Sequence, residues 1–186
     1  MVIRLARFNT YLLAAALLAT LGGCATPGSK REKQVATLRL HVEASRDAGD
    51  RSEPVTISRA SRIMINIDKN PFLNEADVAR ASVVDALGGF TLVIQFDRSG
   101  SLLLEQYSAT NPGKHLAIAV QFGEKPAETR WLAAPLLKGR IGDGILNFTP
   151  DATRAEAEEI ARGLNNVAIQ NGNQEKTKDQ PKAKTQ

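Results

Sequence analysis

The stretch Leu87-Gly88-Gly89-Phe90-Thr91-Leu92-Val93-Ile94-Gln95-Phe96 decides how the middle of this chain folds. Its paired glycines can adopt the positive φ angles that a tight hairpin turn requires. After the turn, every second residue from 90 to 96 is large and apolar, which is the period of a half-buried strand. Residues 81–86 precede the glycines and supply the partner strand. The sequence therefore predicts an antiparallel hairpin with one face in a core.

Six further segments have the alternation or composition of strands. They lie at residues 37–43, 55–57, 63–68, 116–122, 130–133 and 145–148. The segment at 116–122 is apolar on both faces, which is typical of a strand in the centre of a sheet. An Asn74 N-cap predicts a short helical turn between the third of these strands and the hairpin.

Two helices are predicted. The first covers residues 101–110, with Asp97 or Ser99 as its cap. The second begins either at Thr149-Pro150-Asp151 or at the capping box Thr153-Arg154-Ala155-Glu156. Its buried stripe consists of Ala157, Ile160, Ala161, Leu164 and Ala168. These elements predict an α+β fold: a mostly antiparallel sheet with two main helices packed on one face, in βαββ…βα order.

The composition excludes several classes of protein. With 186 residues, 42% apolar and 24% charged, the chain is sized for one globular domain. A mean hydropathy of -0.22 excludes a polytopic membrane protein. The net charge of +4 includes Arg4 and Arg7 near the N terminus, and the remaining excess does not predict a nucleic-acid partner. Cys24 is the one cysteine, so it has no partner for an internal disulfide.

The first residues have the order of a bacterial secretory signal. Two arginines precede an apolar run at 11–21, and small residues lead into Cys24. Leu21-Gly22-Gly23-Cys24 resembles the lipobox of bacterial lipoproteins, which implies a covalent diacylglycerol and acyl lipid on Cys24. The alternative is an ordinary secreted protein with a stray cysteine. Ala25 stands where an inner-membrane retention signal usually has aspartate, so we expect a lipoprotein of the outer membrane that faces the periplasm.

Composition also divides the chain into segments. The predicted divisions are a signal peptide at 1–23, a lipidated tether at 24–36, N-terminal strands joined to the core at 37–70, the main α+β domain at 71–168 and a disordered tail at 169–186. The tether is small, polar and charged, and contains Pro27 and Gly28. From Asn171 onward there is almost no apolar side chain, so the tail buries too little surface to offset its ordering entropy.

Few side chains suggest chemistry. His41 stands between charged neighbours on the polar face of its strand, so we expect it in solvent. Neither histidine has another metal ligand at useful spacing, and no metal or cofactor is predicted beyond the lipid. The glycines of residues 141–144 lack the lysine and hydroxyl of a phosphate loop, which favours a turn. The prediction is a protein that is not an enzyme; the alternative is an unrecognised hydrolase built on His41 or His115.

Several short motifs, in the same order and with similar spacing, resemble one family. They are Pro71-Phe72-Leu73-Asn74-Glu75-Ala76-Asp77, residues 93–96 with Gly100, Asn111-Pro112-Gly113-Lys114-His115-Leu116-Ala117-Ile118-Ala119, Ala134-Pro135 and Asn147-Phe148-Thr149. Residues 72–164 thereby resemble the head subdomain of the large periplasmic domain of SecD, a subunit of the SecDF protein-export complex. The resemblance implies a head-like fold and contact with protein substrates.

Two departures from the family bear on function. The family usually has a short aspartate-glycine turn where this chain has residues 123–129, which lead into Arg130-Trp131. SecD also has transmembrane helices that couple export to ion flow, and none is predicted here. The resemblance therefore implies a lipid-anchored, non-enzymatic envelope module that binds a protein or peptide partner. The alternative is a structural or accessory lipoprotein of the export machinery. No small-molecule ligand is predicted.

Arg130 and Trp131 are the candidate contact residues for such a partner. They lie in the segment that departs from the family, and arginine and tryptophan are enriched at binding hot spots. Trp131 has a second interpretation, as a side chain that fills the core.

Overall fold

The structure, a computed structural model, describes residues 34–57, 62–123 and 129–173. The predicted signal peptide, Cys24 and most of the predicted tether lie outside the described residues. The elements in chain order are β1 (Thr37–Val42), β2 (Ser52–Ile57), β3 (Ile63–Asp68), β4 (Leu73–Asn74), β5 (Val78–Ala86), β6 (Gly89–Phe96), α1 (Arg98–Thr110), β7 (Leu116–Gln121), β8 (Arg130–Ala133), β9 (Ile145–Phe148) and α2 (Arg154–Gln170). Every strand predicted from the sequence is present, and short 3-10 helices at Arg46–Arg51 and Glu75–Asp77 connect strands. The predicted α+β class is confirmed.

The strands form three antiparallel sheets instead of the single sheet expected. The hairpin that turns at Leu87-Gly88 consists of β5 and β6, and β9 joins β6 to give the order β5-β6-β9. A second sheet has the order β4-β1-β7-β8, with the doubly apolar β7 inside it as predicted. β2 and β3 pair with each other along their length, and β3 also has an isolated bridge from Ile67 to Glu43 after β1.

One main core lies between the two larger sheets and both helices. Its fully buried members include Leu40 of β1, Phe96 of β6, Leu104 of α1 and Leu164 of α2. A smaller core lies under the β2–β3 hairpin. It consists of Val55, Ile57, Ile65, Ile67 and Ala117, with Trp131 and Ala134 packed against it. The hairpin therefore covers the second face of the β4-β1-β7-β8 sheet.

Side-chain caps set where both helices begin. The Asp97 carboxylate accepts a hydrogen bond from the Gly100 N–H at 2.8 Å, so α1 starts before the predicted residue 101. Of the two starts predicted for α2, the structure has the capping box. The Thr153 hydroxyl accepts from the Glu156 N–H at 3.3 Å, and the Glu156 carboxylate accepts from the Thr153 N–H at 2.7 Å.

The ordered domain extends beyond the predicted boundary at residue 168. α2 continues to Gln170, and Asn173 after it is 3% exposed. The Asn173 amide donates to the carbonyls of Ala76 at 2.6 Å and Val78 at 3.1 Å. The polar composition of this segment does not predict these hydrogen bonds, because they are made to residues far away in the sequence. The rest of the predicted tail lies outside the described residues.

Helix α2 closes one edge of the β5-β6-β9 sheet. The Asn165 side chain accepts from the Ala81 N–H at 2.9 Å and donates to the Ala81 carbonyl at 2.8 Å. Its amide group thereby makes the two hydrogen bonds that a neighbouring strand would make at this residue. β5 is thus an edge strand whose buried half is already paired.

The same helix holds the chain where it enters the domain. A Cβ atom on Gly163 would lie 2.7 Å from the main-chain nitrogen of Ala36, so only glycine allows this approach. Gln34 also receives two hydrogen bonds from α2: one from Arg162 Nε at 3.2 Å to its side chain, and one from Asn166 Nδ2 at 2.8 Å to its carbonyl. Residues 34–36 are therefore part of the folded domain, although they were assigned to the tether.

His41 is buried, and the prediction that it lies in solvent is wrong. The residue is 7% exposed, and its Nδ1 lies 2.8 Å from the Asp68 carbonyl oxygen. Because a carbonyl oxygen only accepts, Nδ1 donates and carries the ring proton. The polar face of β1 predicted solvent, but the β2–β3 hairpin lies on that face.

Candidate partner-binding cleft

An open, mainly apolar cleft of about 390 Å³ lies beside β8, and we call it the β8 cleft. Its walls are Ile57 and Ile63 of the β2–β3 hairpin, residues 132–135, and residues 148–151, which comprise the last residue of β9 and the three after it. On the hairpin wall Ile63 is accessible, at 40% exposed, whereas Ile57 is fully buried. The Asp151 N–H donates to the Leu132 carbonyl at 2.8 Å and so ties two of the walls together. A cleft of this size accommodates a few apolar side chains.

The free edge of β9 borders this cleft, because Phe148 belongs to both. The Gly144 carbonyl accepts from the Phe96 N–H at 3.0 Å, so the main-chain groups of residues 144, 146 and 148 face β6. Those of Ile145 and Asn147 face away from the sheet. The Ile145 N–H donates to Asp143 Oδ1 at 3.0 Å. Within residues 34–57, 62–123 and 129–173, the N–H and carbonyl of Asn147 have no hydrogen-bond partner.

Arg130 is occupied in holding β8 to α2. Its guanidinium donates to Glu156 Oε1 and to the Asp151 carbonyl, both at 2.7 Å, and lies 5.8 Å from the centre of the Phe122 ring. The side chain is 26% exposed. These contacts place Arg130 in the support of the cleft wall, and a direct contact with a partner stays a prediction.

Trp131 is half-buried under the β2–β3 hairpin, on the side of β8 opposite to Leu132. Its ring meets His41 edge to face, with 5.5 Å between the ring centres. Burial lowers the pKa of His41 below its ordinary value, and the hydrogen bond to the Asp68 carbonyl and the charge of Glu53 offset this in part. The Trp131 ring is neither fully buried nor fully exposed, so its role as a partner contact also stays a prediction.

His115 forms a dyad with Glu43. The Glu43 carboxylate lies 2.7 Å from His115 Nδ1 and accepts from the His115 N–H at 2.9 Å. Partial burial acts to raise the pKa of Glu43, but the two hydrogen bonds and the charge of His115 together hold it below its ordinary value. The Glu43 N–H also donates to the His115 carbonyl at 2.9 Å, so the dyad extends the β1–β7 ladder.

The dyad has the geometry of a base and its orienting carboxylate, which a hydrolase built on His115 would need. Glu43 lines an open pocket of about 590 Å³ that Ser52 also lines. The Ser52 hydroxyl, however, donates to the Gly49 carbonyl at 3.2 Å and accepts from Asn66 at 2.9 Å. In the part of the chain that the structure describes, no hydroxyl or thiol is hydrogen-bonded to Nε2 of His115.

The absence of a metal site and the lipid site at Cys24 both stay predictions. Among the described residues, no three histidine, cysteine, aspartate or glutamate side chains gather where a metal ion could bind. None of the described helices is long and apolar enough to cross a membrane. Cys24, the predicted lipid attachment site, lies outside the described residues.

Comparison with solved structures finds a similar fold in SecDF. A structure of SecDF, a membrane component that enhances protein export, aligns with 78% of this chain and 71% of its own, at 20% identity and a TM-score of 0.53. The chain has a SecDF-type fold. A crystal structure of SecDF in a super-membrane-facing form aligns at the same identity and TM-score with 77% of this chain. The SecDF-type domain here spans 21% of that larger chain.

The likeness at this level of identity is one of fold, and it confirms the SecD resemblance read from the sequence. No protein-family model matches the chain, and no curated protein matches it either. Two residues of interest within the SecDF-type fold were not singled out by sequence reasoning. Asn147 appeared only as part of a family motif, and Asn165 carried no warning beyond being a poor helix former beside a buried stripe.

Proposed function

We propose that this protein is a lipid-anchored, non-enzymatic module of the cell envelope that binds protein or peptide partners in protein export. The observation that carries the proposal is the β8 cleft, an accessible apolar surface within a fold shared with SecDF. Apolar surface that stays accessible in a folded domain is characteristic of sites that bind other polypeptides.

The construction of the cleft supports this proposal. Its walls come from three separate segments, the β2–β3 hairpin, β8 and the residues after β9, and each wall is tied to the domain. His41 anchors the hairpin through Asp68, and Arg130 ties β8 to α2 through Glu156. A cleft with preformed walls loses little conformational entropy when a partner binds.

The proposed location rests on Cys24. A lipid on this cysteine would place the domain at the membrane, and the residues around it favour the outer membrane facing the periplasm. The expected result is that the unchanged protein sediments with membranes, while Cys24→Ala remains in the periplasmic fraction with the same fold by circular dichroism. Sedimentation of Cys24→Ala with the membranes would contradict lipid anchoring.

The binding function is tested by crosslinking in cells. A photoreactive amino acid at Ile63, in the cleft wall, should crosslink to polypeptides that are being exported, and the yield should fall when export is blocked. Leu102 on α1 is the matched control, because it is also an exposed apolar residue, at 61% against 40%, but does not line the cleft. Equal crosslinking from both positions would contradict the proposal, and crosslinks to translocon subunits alone would favour the accessory-lipoprotein alternative.

The His115–Glu43 dyad keeps one enzymatic alternative open to test. A hydrolase built on it would need an activated serine, which a fluorophosphonate probe labels covalently. We expect no labelling of the full-length protein. Labelling that disappears in His115→Gln would contradict the non-enzymatic proposal.

A further inference from the structure

Two kinds of unsatisfied surface meet at the end of β9. One is the main chain of Asn147, whose N–H and carbonyl face away from the sheet and are unpaired among the described residues. The other is the apolar lining of the β8 cleft, which begins at Phe148, the next residue along the strand. A ligand that satisfies both must supply a main-chain donor and acceptor together with apolar side chains. An extended polypeptide with apolar residues at alternate positions has this chemistry.

A second copy of β9 does not have this chemistry. The apolar side chains of β9 are those of Leu146 and Phe148, which are 4% and 5% exposed and already belong to the main core. Its remaining side chains are the exposed Asn147 and the half-buried Ile145. Pairing β9 with itself would join the main chains but would leave the cleft unfilled.

The undescribed parts of the mature chain do not have it either. Residues 25–33, 58–61, 124–128 and 174–186 contain no apolar side chain larger than alanine or proline. The apolar run at 11–21 belongs to the predicted signal peptide, which is removed from a mature lipoprotein. The occupant that remains is a segment of another protein.

We propose that the free edge of β9 adds an extended segment of a partner polypeptide as a further strand, with the apolar side chains of that segment in the β8 cleft. The inference rests on the proposed binding function and assigns its site and its ligand class. Asn147 makes the two central hydrogen bonds, and the partner residues on the core side enter the β8 cleft, where they meet the exposed Ile63 and the partly exposed Ala133 and Pro135. The ligand class is an unfolded, apolar stretch of polypeptide rather than a folded surface.

The test uses the full mature chain and two fluorescent heptapeptides of defined sequence. One has valine at alternate positions with threonine between and lysine at both ends; the other has serine in place of every valine. The valine peptide should bind, and the serine peptide should bind at least about tenfold more weakly, because it buries much less apolar surface. Hydrogen exchange of the Asn147 amide should slow when the valine peptide binds.

Asn147→Pro removes the outward N–H and obstructs pairing, while an outward N–H on an edge strand is a position where proline is tolerated. We expect this variant to bind the valine peptide at least about tenfold more weakly. Asn147→Ala is the matched control, because it keeps the main-chain N–H, and it should bind within about twofold of the unchanged protein. The exchange measurement needs no variant, so it decides the matter even if Asn147→Pro is unstable.

Three results would overturn the inference. If the unchanged protein binds the valine peptide without protecting the Asn147 amide, and Asn147→Pro binds equally well, the site is elsewhere and the proposed function stands. If no apolar peptide binds, the proposed function fails with it. If sedimentation finds a dimer that Asn147→Pro dissociates, the edge belongs to a second copy of this chain.

Discussion

The β5-β6-β9 sheet has two edges, and the protein treats them differently. On the β5 edge, Asn165 bonds both main-chain groups of Ala81, and Asn173 bonds the carbonyl of Val78. On the β9 edge, Asp143 takes the N–H of Ile145, and in the described part of the chain nothing pairs with Asn147. The first half of the β5 edge is closed by α2 and the residue Asn173 after it, and the β9 edge remains able to pair at Asn147.

The charges along the two edges sharpen this difference. Near the end of β5, the exposed Asp85 forms an ion pair with Arg154, the first residue of α2. Charged side chains on an edge strand oppose pairing with other chains. β9 instead carries the uncharged Ile145 and Asn147 and lies beside an apolar cleft. The comparison teaches that α2 and Asn173 close β5 only at Ala81 and Val78, because Val83 also faces outward and no described residue bonds its main chain; the β9 edge differs in having an apolar cleft beside it.

Proline substitutions should separate the two edges by the largest margin. Ala81→Pro removes an N–H that is hydrogen-bonded to Asn165 and puts a ring against a buried helix, so we expect a loss of about 3 kcal/mol in the free energy of unfolding. Asn147→Pro removes an N–H that no described residue accepts, and should cost less than about 1 kcal/mol. Urea denaturation of both variants measures the contrast. Equal losses would mean that the β9 edge is not free.

The seating of α2 is the next largest effect. Gly163→Ala puts a Cβ 2.7 Å from the Ala36 main-chain nitrogen, and main chain does not yield easily, so we expect a loss of about 2 kcal/mol despite the better helix propensity of alanine. Gly139→Ala is the control, because a Cβ there meets nothing within 4 Å, and it should change stability by less than about 0.5 kcal/mol. Thermal and urea unfolding compare the two. A neutral Gly163→Ala would show that α2 is not held tightly against the chain entry.

Removing the Asn165 side-chain amide should expose the main chain of Ala81 on the β5 edge and lower the free energy of unfolding moderately. Asn165→Ala leaves the N–H and carbonyl of Ala81 without their partners, which should destabilise the protein by about 1 to 2 kcal/mol. Hydrogen exchange of the Ala81 amide should accelerate, while that of Leu146 on β9 should not. Gln170→Ala, an exposed change on the same helix, is the control. Unchanged protection at Ala81 would contradict the role given to Asn165.

Lowering the pH should slightly destabilise the β2–β3 hairpin, which forms one wall of the β8 cleft beside β9. It should leave the β5 edge of the sheet unaffected. Burial favours neutral His41, so its stabilisation is present above the ordinary pKa of 6.5 and is lost as pH falls through the lowered pKa. The charged groups around it are Glu53, Asp68 and Arg39. Between pH 7 and pH 5 we expect protection of the β2–β3 hairpin amides to fall by less than about 1 kcal/mol.

His41→Gln is the control for this acid effect, because glutamine does not titrate and can still donate to the Asp68 carbonyl. Its hairpin protection should be the same at both pH values. Glu43 has the same sign of dependence, but its ordinary pKa of 4.5 puts its loss of stability below this window. Acid sensitivity that persists in His41→Gln would remove His41 as the cause.

The sequence predicted the features that depend on neighbours in the chain. The glycine pair before residue 90, the alternation of β6 and the capping box at Thr153 each need only a few adjacent residues, and all three are present. His41 was misplaced because its environment comes from a hairpin that packs across the sheet. Arg130 was favoured as a contact without knowledge of Glu156, which is distant in sequence and lies against it in the fold.

The candidate site was less predictable than the fold for the same reason. The apolar pairs Val55 and Ile57, and Ile65 and Ile67, predicted strands with one buried face but not which surface they cover. An unpaired edge is likewise a property of sheet order, which depends on every strand that could have taken the place beside β9. Only the order β5-β6-β9 shows that Asn147 faces outward.

The contact between Gly163 and Ala36 also has a mechanical consequence. The residues from Cys24 to Gln34 reach at most about 35 Å when fully extended. A lipid on Cys24 would therefore keep the domain within that distance of the membrane. Tension on residues 24–34 would enter the domain at Gln34, which is hydrogen-bonded to α2. These hydrogen bonds would bear the tension before it reached either edge of the sheet. If Cys24 is lipidated, a partner strand pulled against β9 would therefore load a different part of the domain from the residues that bear the tension of the lipid anchor.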